Sequence, residues 1–571
     1  MQDRYSNIPN HLKEFIVSQD YDDYTAIDHA CWRFIMEISK RFFKDHAHDA
    51  YLGGLRGTGI TINSIPKISD MDDKLQEIGW RAVPVRGFLP PTIFMQFQAH
   101  SILPIASDMR TAEHMTYTPA PDIVHEAAGH SPIIVDEDYS KFLKKYGACA
   151  VNALYSNEDH EIYLAIRRLS DIKENPGSTP EDIKEAEENL QSSVGSITFI
   201  SEAAYLARLN WWTVEYGLVG EMHAPRIYGA GLLSSVGESY NAIHGNVKKI
   251  PLSLDCINYS YDITEQQPQL FVARDFDHLS EVLSEFTNKM AFARGGIKSI
   301  QQAIKCKSVC TFKLDSGLQV SGVPSEVIGE DKEQYYIFSG PVQLSCNAKQ
   351  LDGHGGEYHR SGFSSPLCSE DIINQIQTME IDQPVILDFS VGIQLTGTLS
   401  KKLILEGKLL VASFLDCTIT RGDRVLFDPS WGTFDLACGS VVASVSGGPA
   451  DMQSYIKHMQ MELPNKNKPD YLVHHSQKEE NLIDLYHEVK AMKGQSAFNK
   501  DAIKMILAKI DLLFPKEWLL RFQLLEILNF HGQTDLCGEI ESKILSIASG
   551  RGDLLSSIKR GISNLGISNL K

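Results

Sequence analysis

The chain has 571 residues, too many for one ordinary hydrophobic core, so roughly two to four domains are expected. Hydrophobic residues make up 43% of it and charged ones 22%, the balance of a globular protein in water. With 54 basic and 73 acidic side chains the net charge is −19, which opposes binding to nucleic acid or to an anionic membrane.

The start, MQDRYSNIPNHLKEF, has no basic stretch followed by an apolar core, so no signal peptide is expected. No run approaches the ~18 apolar residues of a membrane span. Ten cysteines without paired spacing fit free thiols in a reducing, cytoplasmic setting. Cys306 and Cys310 lie four apart in KSIQQAIKCKSVC, which reads as a helix; without a His or Cys cluster beside them, a metal role is not expected.

Residues 1–295 read as mainly α-helical. TAIDHACWRFIMEISKRFF (25–43) has Thr25 as N-cap, Asp28 three residues later, and apolar residues at helical spacing. DHEIYLAIRRLSDIKE (159–174), PEDIKEAEENLQSSVGSITFISEAAYLARLNWWTVEYGL (180–218) and HLSEVLSEFTNKMAFA (278–293) continue the pattern. Over 305–450 short β-branched and aromatic stretches alternate with Gly, Asp and Pro, as in TFKLDSGLQVSGV and KLLVASFLDCTI. Gly317–Gly322 (GLQVSG) resembles Gly392–Gly397 (GIQLTG), 75 residues on, which suggests two copies of one β unit; chance similarity of short strands is the alternative. Over 451–571 amphipathic helices return. They follow an exposed connector (464–476) whose His474-His475 reads as a solvated pair.

The stretch PDIVHEAAGHSP (121–132) places His125 and His130 five apart. A regular helix would turn them about 140° away from each other. Gly129 is expected to end the helix, so that His130 can swing back beside His125. Two unrelated histidines are the alternative. A third donor is Glu215, set in LNWWTVEYGLVGE among apolar residues; otherwise it is a helix-face glutamate reaching water. Two His and one carboxylate suit a mononuclear non-haem Fe(II) oxygenase, or a zinc hydrolase with Glu126 as general base. The residues alone do not separate the two.

The blocks YTAIDHACWR, VPVRGFLPPTIF, YTPAPDIVHEAAGH, WWTVEYGL, YGAGLLSSVGE and TEQQPQLFV, in this order, resemble the pterin-dependent aromatic amino acid hydroxylases over roughly residues 20–290. The resemblance implies a mainly α-helical catalytic domain of that type (1–295), followed by a β-rich domain (305–450) and a helical C-terminal region (451–571). It implies Fe(II) held by His125, His130 and Glu215, with O2 and a tetrahydrobiopterin-type pterin as co-substrates. Arg110 then pairs with the substrate carboxylate and Asp122 orients it. Tyr117, Thr118 and Pro119 line the substrate pocket, and Trp211 walls the substrate ring. Gly87, Phe88 and Leu89 offer backbone to the pterin, Phe94 stacks on it, and Glu126 faces it, so its role as hydrolytic base drops out. Ser234 steadies an iron-bound histidine, and Tyr261 belongs to a loop that approaches on closure.

The implied reaction is para-hydroxylation of phenylalanine to tyrosine. Trp211 and Ile263 favour phenylalanine, with tryptophan or tyrosine as the alternative substrate. The sequence departs from the family at Pro90-Pro91, where animal members carry a polar pair, and at Ala127-Ala128, where they carry bulkier residues. The C-terminal half resembles nothing recognisable, and a regulatory or interaction module is expected there.

Overall fold

A computed structural model of the chain describes residues 4–116, 121–175, 177–261, 266–330, 333–389, 392–459, 475–493 and 499–566. The readings of Tyr117, Thr118, Pro119, Ile263 and His474 lie outside the described residues.

Helix α1 (Ala26–His46) organises the N-terminal region. Thr25 and Asp28 form a reciprocal capping box at its start, and Cys31, Trp32, Phe34, Ile35 and Ile38 are buried along one face. Strands β1 (Arg81–Val85) and β2 (Ile102–Ala106) pair in parallel. Parallel pairing makes the chain leave both strands at the same end. The segments after them, 86–90 and 107–116, therefore emerge side by side. Further along come α2 (Val124–His130), α3 (Trp211–Glu215), α4 (Ala230–Ser234) and α5 (Val236–His244). Directly after α3, Leu218 pairs with Val272 of strand Gln269–Ala273, which fixes the exit of that turn.

The long helix expected over 180–218 is broken into Pro180–Gly195, Glu202–Asn210 and α3, because Ser201 caps a new start by accepting the Ala204 N–H. Cys306 and Cys310 do not share a helix either. Lys307 adopts φ +52°, which ends helix Gly296–Cys306, and Cys310 opens a strand. All ten cysteines are free, and Cys346 alone is not buried.

The β-rich region holds two antiparallel sheets. In the first, β3 (Cys310–Leu314), β4 (Leu318–Glu330) and β5 (Glu333–Cys346) are neighbours in that order, with β6 (Gly362–Pro366) also on β5. The second repeats the plan with β7 (Pro384–Phe389), β8 (Ile393–Leu405), β9 (Lys408–Arg421) and β10 (Phe434–Ala437) on β9. Phe312 opposes Val320 as Leu387 opposes Leu395, and Leu318 opposes Cys346 as Ile393 opposes Arg421. In these four pairs each residue and its counterpart are displaced by the same 75 residues. Strand β11 (Val442–Gly447) returns to pair with β3.

The C-terminal helices α6 (Gln477–Lys493), α7 (Lys500–Leu513), α8 (Leu519–Phe530), α9 (Thr534–Ala548) and α10 (Gly552–Asn564) share one apolar core with the N-terminal region. Phe34 of α1 packs edge-on against Phe522 and Trp518, at 4.8 and 5.1 Å between ring centres. Arg33 forms an ion pair with Glu526 beside them. Among the described residues no helix is long and apolar enough to cross a membrane.

Candidate metal and substrate site

The two histidines are brought together by a widened helix, not by a break. Segment α2 is a π-helical turn in which the Ser131 N–H bonds to the Glu126 carbonyl, five residues back. Five residues complete about one π turn, so His125 and His130 fall on the same face. Gly129 stays helical, contrary to the expected break. What it provides is close approach: a Cβ there would lie 2.7 Å from the carbonyl oxygen of Ala230 in α4. Segment α3 is a second π turn, closed by the Tyr216 N–H on the Trp211 carbonyl, and it delivers Glu215. Gly229, just before α4, lets that turn pack equally closely, since a Cβ there would lie 2.4 Å from the Glu215 carbonyl oxygen.

The result is a compact donor triad. His125 Nε2 and His130 Nε2 are 3.1 Å apart, and Glu215 presents Oε2 3.4 Å from the first and Oε1 3.3 Å from the second. The tautomer of His125 follows from its other nitrogen. Ser234 Oγ already donates to the Ala230 carbonyl at 2.8 Å, so at 3.0 Å it accepts from His125 Nδ1–H. Nε2 then carries a free lone pair facing the triad. Burial also holds His125 neutral, pushing its pKa down to about 4. For His130 burial opposes the charge, but the adjoining Glu215 carboxylate outweighs it and raises the pKa. A divalent cation would take the place of that proton. Glu126 is buried beside His130, with Oε2 lacking any hydrogen-bond partner, and desolvation raises its pKa to about 8.

A second network joins this triad to Arg110. Asp122 accepts from Arg110 Nε and Nη2, both at 2.7 Å, and its Oδ1 accepts the His125 backbone N–H at 3.1 Å. Arg110 Nη1 donates to the Ser234 carbonyl at 3.1 Å. Three of the five guanidinium N–H groups are thereby used, and the other two have no partner among the described residues.

The aromatic residues are partly placed. Trp211 stacks on Tyr261 at 4.3 Å and 11°, and on Tyr216 at 4.6 Å and 29°. Gly87 adopts φ +60°, in the turn that follows β1. The Phe88 carbonyl accepts from the Tyr163 hydroxyl at 3.1 Å, a support that sequence reading missed. Leu89 is buried, and Phe94 packs on the same small cluster with Val85 and Ile93. Sequence reading also missed Asn210, whose Nδ2 reaches Glu215 Oε1 at 3.5 Å.

A sequence model described as biopterin-dependent aromatic amino acid hydroxylase matches residues 6–165 and 190–294. Over these residues, a little under half of the chain, it is similar to that family. The phenylalanine-4-hydroxylase of Mesorhizobium japonicum is 27% identical over 272 residues, which is 47% of this chain and 82% of that protein. That of Dictyostelium discoideum is 29% identical over 272 residues, 47% of this chain and 52% of that protein. A crystal structure of Chromobacterium violaceum phenylalanine hydroxylase with bound iron(III) and 7,8-dihydrobiopterin is 24% identical. It covers 48% of this chain and 86% of that one, with a TM-score of 0.38. The segments carrying the triad, Arg110 and the 86–94 turn all fall inside the hydroxylase match.

Proposed function

We propose that the chain is a phenylalanine 4-monooxygenase, hydroxylating L-phenylalanine to L-tyrosine with O2 and a tetrahydropterin at one non-haem iron(II). His125, His130 and Glu215 would hold the iron. The observation that carries this reading is the triad itself, three side chains whose facing donor atoms lie pairwise 3.1–3.4 Å apart on two π turns. Two imidazoles and a carboxylate leave coordination positions open, the arrangement used by Fe(II) oxygenases. When bound, iron with the tetrahydropterin supplies reductive activation of O2.

The chain's own residues supply position. Arg110, clamped by Asp122, would hold the amino-acid carboxylate through its two spare N–H groups. Trp211 would flank the substrate ring, with Tyr261 closing over it and Tyr117, Thr118 and Pro119 completing the pocket. The backbone of Gly87, Phe88 and Leu89 and the ring of Phe94 would hold the pterin. Glu126 would meet it with an otherwise unpartnered Oε2. Ser234 would keep the His125 Nε2 lone pair directed at a bound metal.

In this layout residues 1–295 are the catalytic unit, 305–450 a duplicated β unit, and 451–571 a helical region docked on the first. The shared 75-residue displacement of strand partners supports the duplication. The location would be cytoplasmic, in keeping with the free thiols. An aerobic assay with Fe(II), a tetrahydropterin and phenylalanine, tyrosine or tryptophan in turn tests the reading. Coupled tyrosine formation is expected from phenylalanine. Hydroxylation of none of the three would overturn the activity, and preference for another would overturn the substrate.

A further inference from the structure

We propose that the β-rich region carries a second metal centre, built from His354, His359 and Asp435, for a divalent first-row transition ion. It is independent of the iron site and of the reaction assigned to it.

The two histidines belong to HGGEYH (354–359), in the connection between β5 and β6. Their spacing is the five residues of the first site, but here the backbone is a loop pinned to a strand. The Leu344 N–H bonds to the His354 carbonyl at 2.9 Å, and the Val342 N–H to the His359 carbonyl at 3.1 Å. Both anchors lie on β5, so the imidazoles are positioned by the first sheet. Asp435 comes from the second sheet, on β10 opposite Ser413. The Ser413 hydroxyl donates to Oδ1 at 2.5 Å and leaves Oδ2 facing the histidines.

The donor atoms form a triangle: His354 Nδ1 to His359 Nε2 is 3.2 Å, and each lies 3.9–4.0 Å from Asp435 Oδ2. One point lies about 2.2 Å from all three, close to the bond lengths of zinc or a similar ion to imidazole and carboxylate. All three residues are buried, with 5%, 8% and 4% of their surface exposed.

A purely protein explanation leaves a charge uncompensated. One imidazole can donate to the other, but the distances to Oδ2 are too long for hydrogen bonds. Asp435 Oδ2 is accordingly buried without a partner, and no lysine or arginine among the described residues pairs with it. A buried, unpaired carboxylate oxygen is costly, and a cation on the triangle removes the cost. The exposed Tyr358 lies beside the Asp435 carboxylate, and a neutral phenol there brings no positive charge to offset it. An ion here ties the β5–β6 connection to β10, so it clamps the two halves of the β region together.

The test is metal counting on the full-length protein, stripped with chelator and reloaded with Co(II) or Zn(II). The wild type is expected to bind two equivalents per chain, and H125A/H130A to retain one. Because that variant leaves the β region untouched, its residual metal reports the second site without relying on the folding of a β-region mutant. In that background H359Q or D435N should abolish the remaining equivalent, the Co(II) absorption, and the rise in Tm that Zn(II) gives. One equivalent in the wild type and none in H125A/H130A would overturn the proposal. So would a residual equivalent that is indifferent to H359Q and D435N.

Discussion

Asp122 grips Arg110 with both carboxylate oxygens and, through the same Oδ1, fixes the backbone N–H that starts the His125 turn. Both side chains are almost wholly buried, at 2% and 4% exposed. One carboxylate therefore sets the position of the proposed substrate-binding cation and of a proposed metal ligand. Asp122→Ala would strand a buried guanidinium, a loss of about 3–5 kcal/mol where one partner of such a pair is removed. The expected outcome is a large fall in Tm together with a raised KM for the amino acid. Arg110→Lys keeps the charge but loses the fork, and should raise KM with a much smaller change in Tm.

Ser234→Ala removes the acceptor that holds His125 Nδ1–H. The ring is then free to change tautomer and orientation. Losses of this kind cost on the order of ten- to a hundredfold in metal affinity or activity. Equilibrium titration with Fe(II) or Co(II) should show weaker binding at the first site, while the fold, read by circular dichroism, is retained.

Gly129→Ala tests the π turn. Its methyl group would press on the Ala230 carbonyl at 2.7 Å, backbone that cannot rotate away. Overpacking of this sort costs about 1–3 kcal/mol. Separation of α2 from α4 should also disturb the Ser234–His125 bond, so Tm and metal affinity are expected to fall together. If Gly129 merely terminated a helix, a loss confined to stability would be seen instead.

Much of this was legible in the residues and some was not. The helical and β textures were readable because apolar periodicity reports which face is buried. His125, His130 and Glu215 stood out as a donor set, but the geometry joining them did not. A five-residue spacing reads alike whether the helix breaks or widens, and the choice rests on hydrogen bonds that no side-chain pattern encodes. HGGEYH carried the same spacing as HEAAGH, yet its carboxylate lies on a strand of the other sheet, beyond any local signal. The docking of α8 on α1 was similarly hidden, since an apolar helix face does not name its partner.

Glu238 should make stability depend on pH. Burial raises its pKa to about 7 from 4.5, against the opposing Gln267 backbone N–H. In the unfolded chain the carboxyl ionises near 4.5, so between 4.5 and 7 the folded state alone keeps the proton. Its stabilising contribution is complete below 4.5 and is lost as pH rises through about 7. Glu238→Gln cannot ionise. The wild type should therefore lose Tm relative to E238Q between mildly acid and mildly alkaline buffer, and parallel curves would contradict the assignment.

Helix α10 and its N-cap residue Arg551 reach both arms of the proposed active site. Arg560 Nη1 donates to the Val236 carbonyl at 3.1 Å, two residues after Ser234, and its guanidinium lies 4.6 Å from the Tyr240 ring centre. Arg551 Nη2 donates to the Glu113 carbonyl at 2.7 Å, three residues after Arg110. Arg560→Ala removes the bond to Val236 and the cation–π contact, together about 1–2 kcal/mol, along with two bonds inside α10, to the Ser556 carbonyl and the Ser557 hydroxyl. It should also loosen the segment that carries Ser234, so KM for the amino acid is expected to rise several-fold with little change in kcat. Deleting residues 477–571 goes further, because it bares Phe34 and the apolar face of α1 around it. A helical region that only recruited partners would leave a truncated enzyme with unaltered kinetics. The shared core predicts the opposite, a truncated protein that aggregates or melts far below the full chain, and differential scanning calorimetry of the two distinguishes these outcomes.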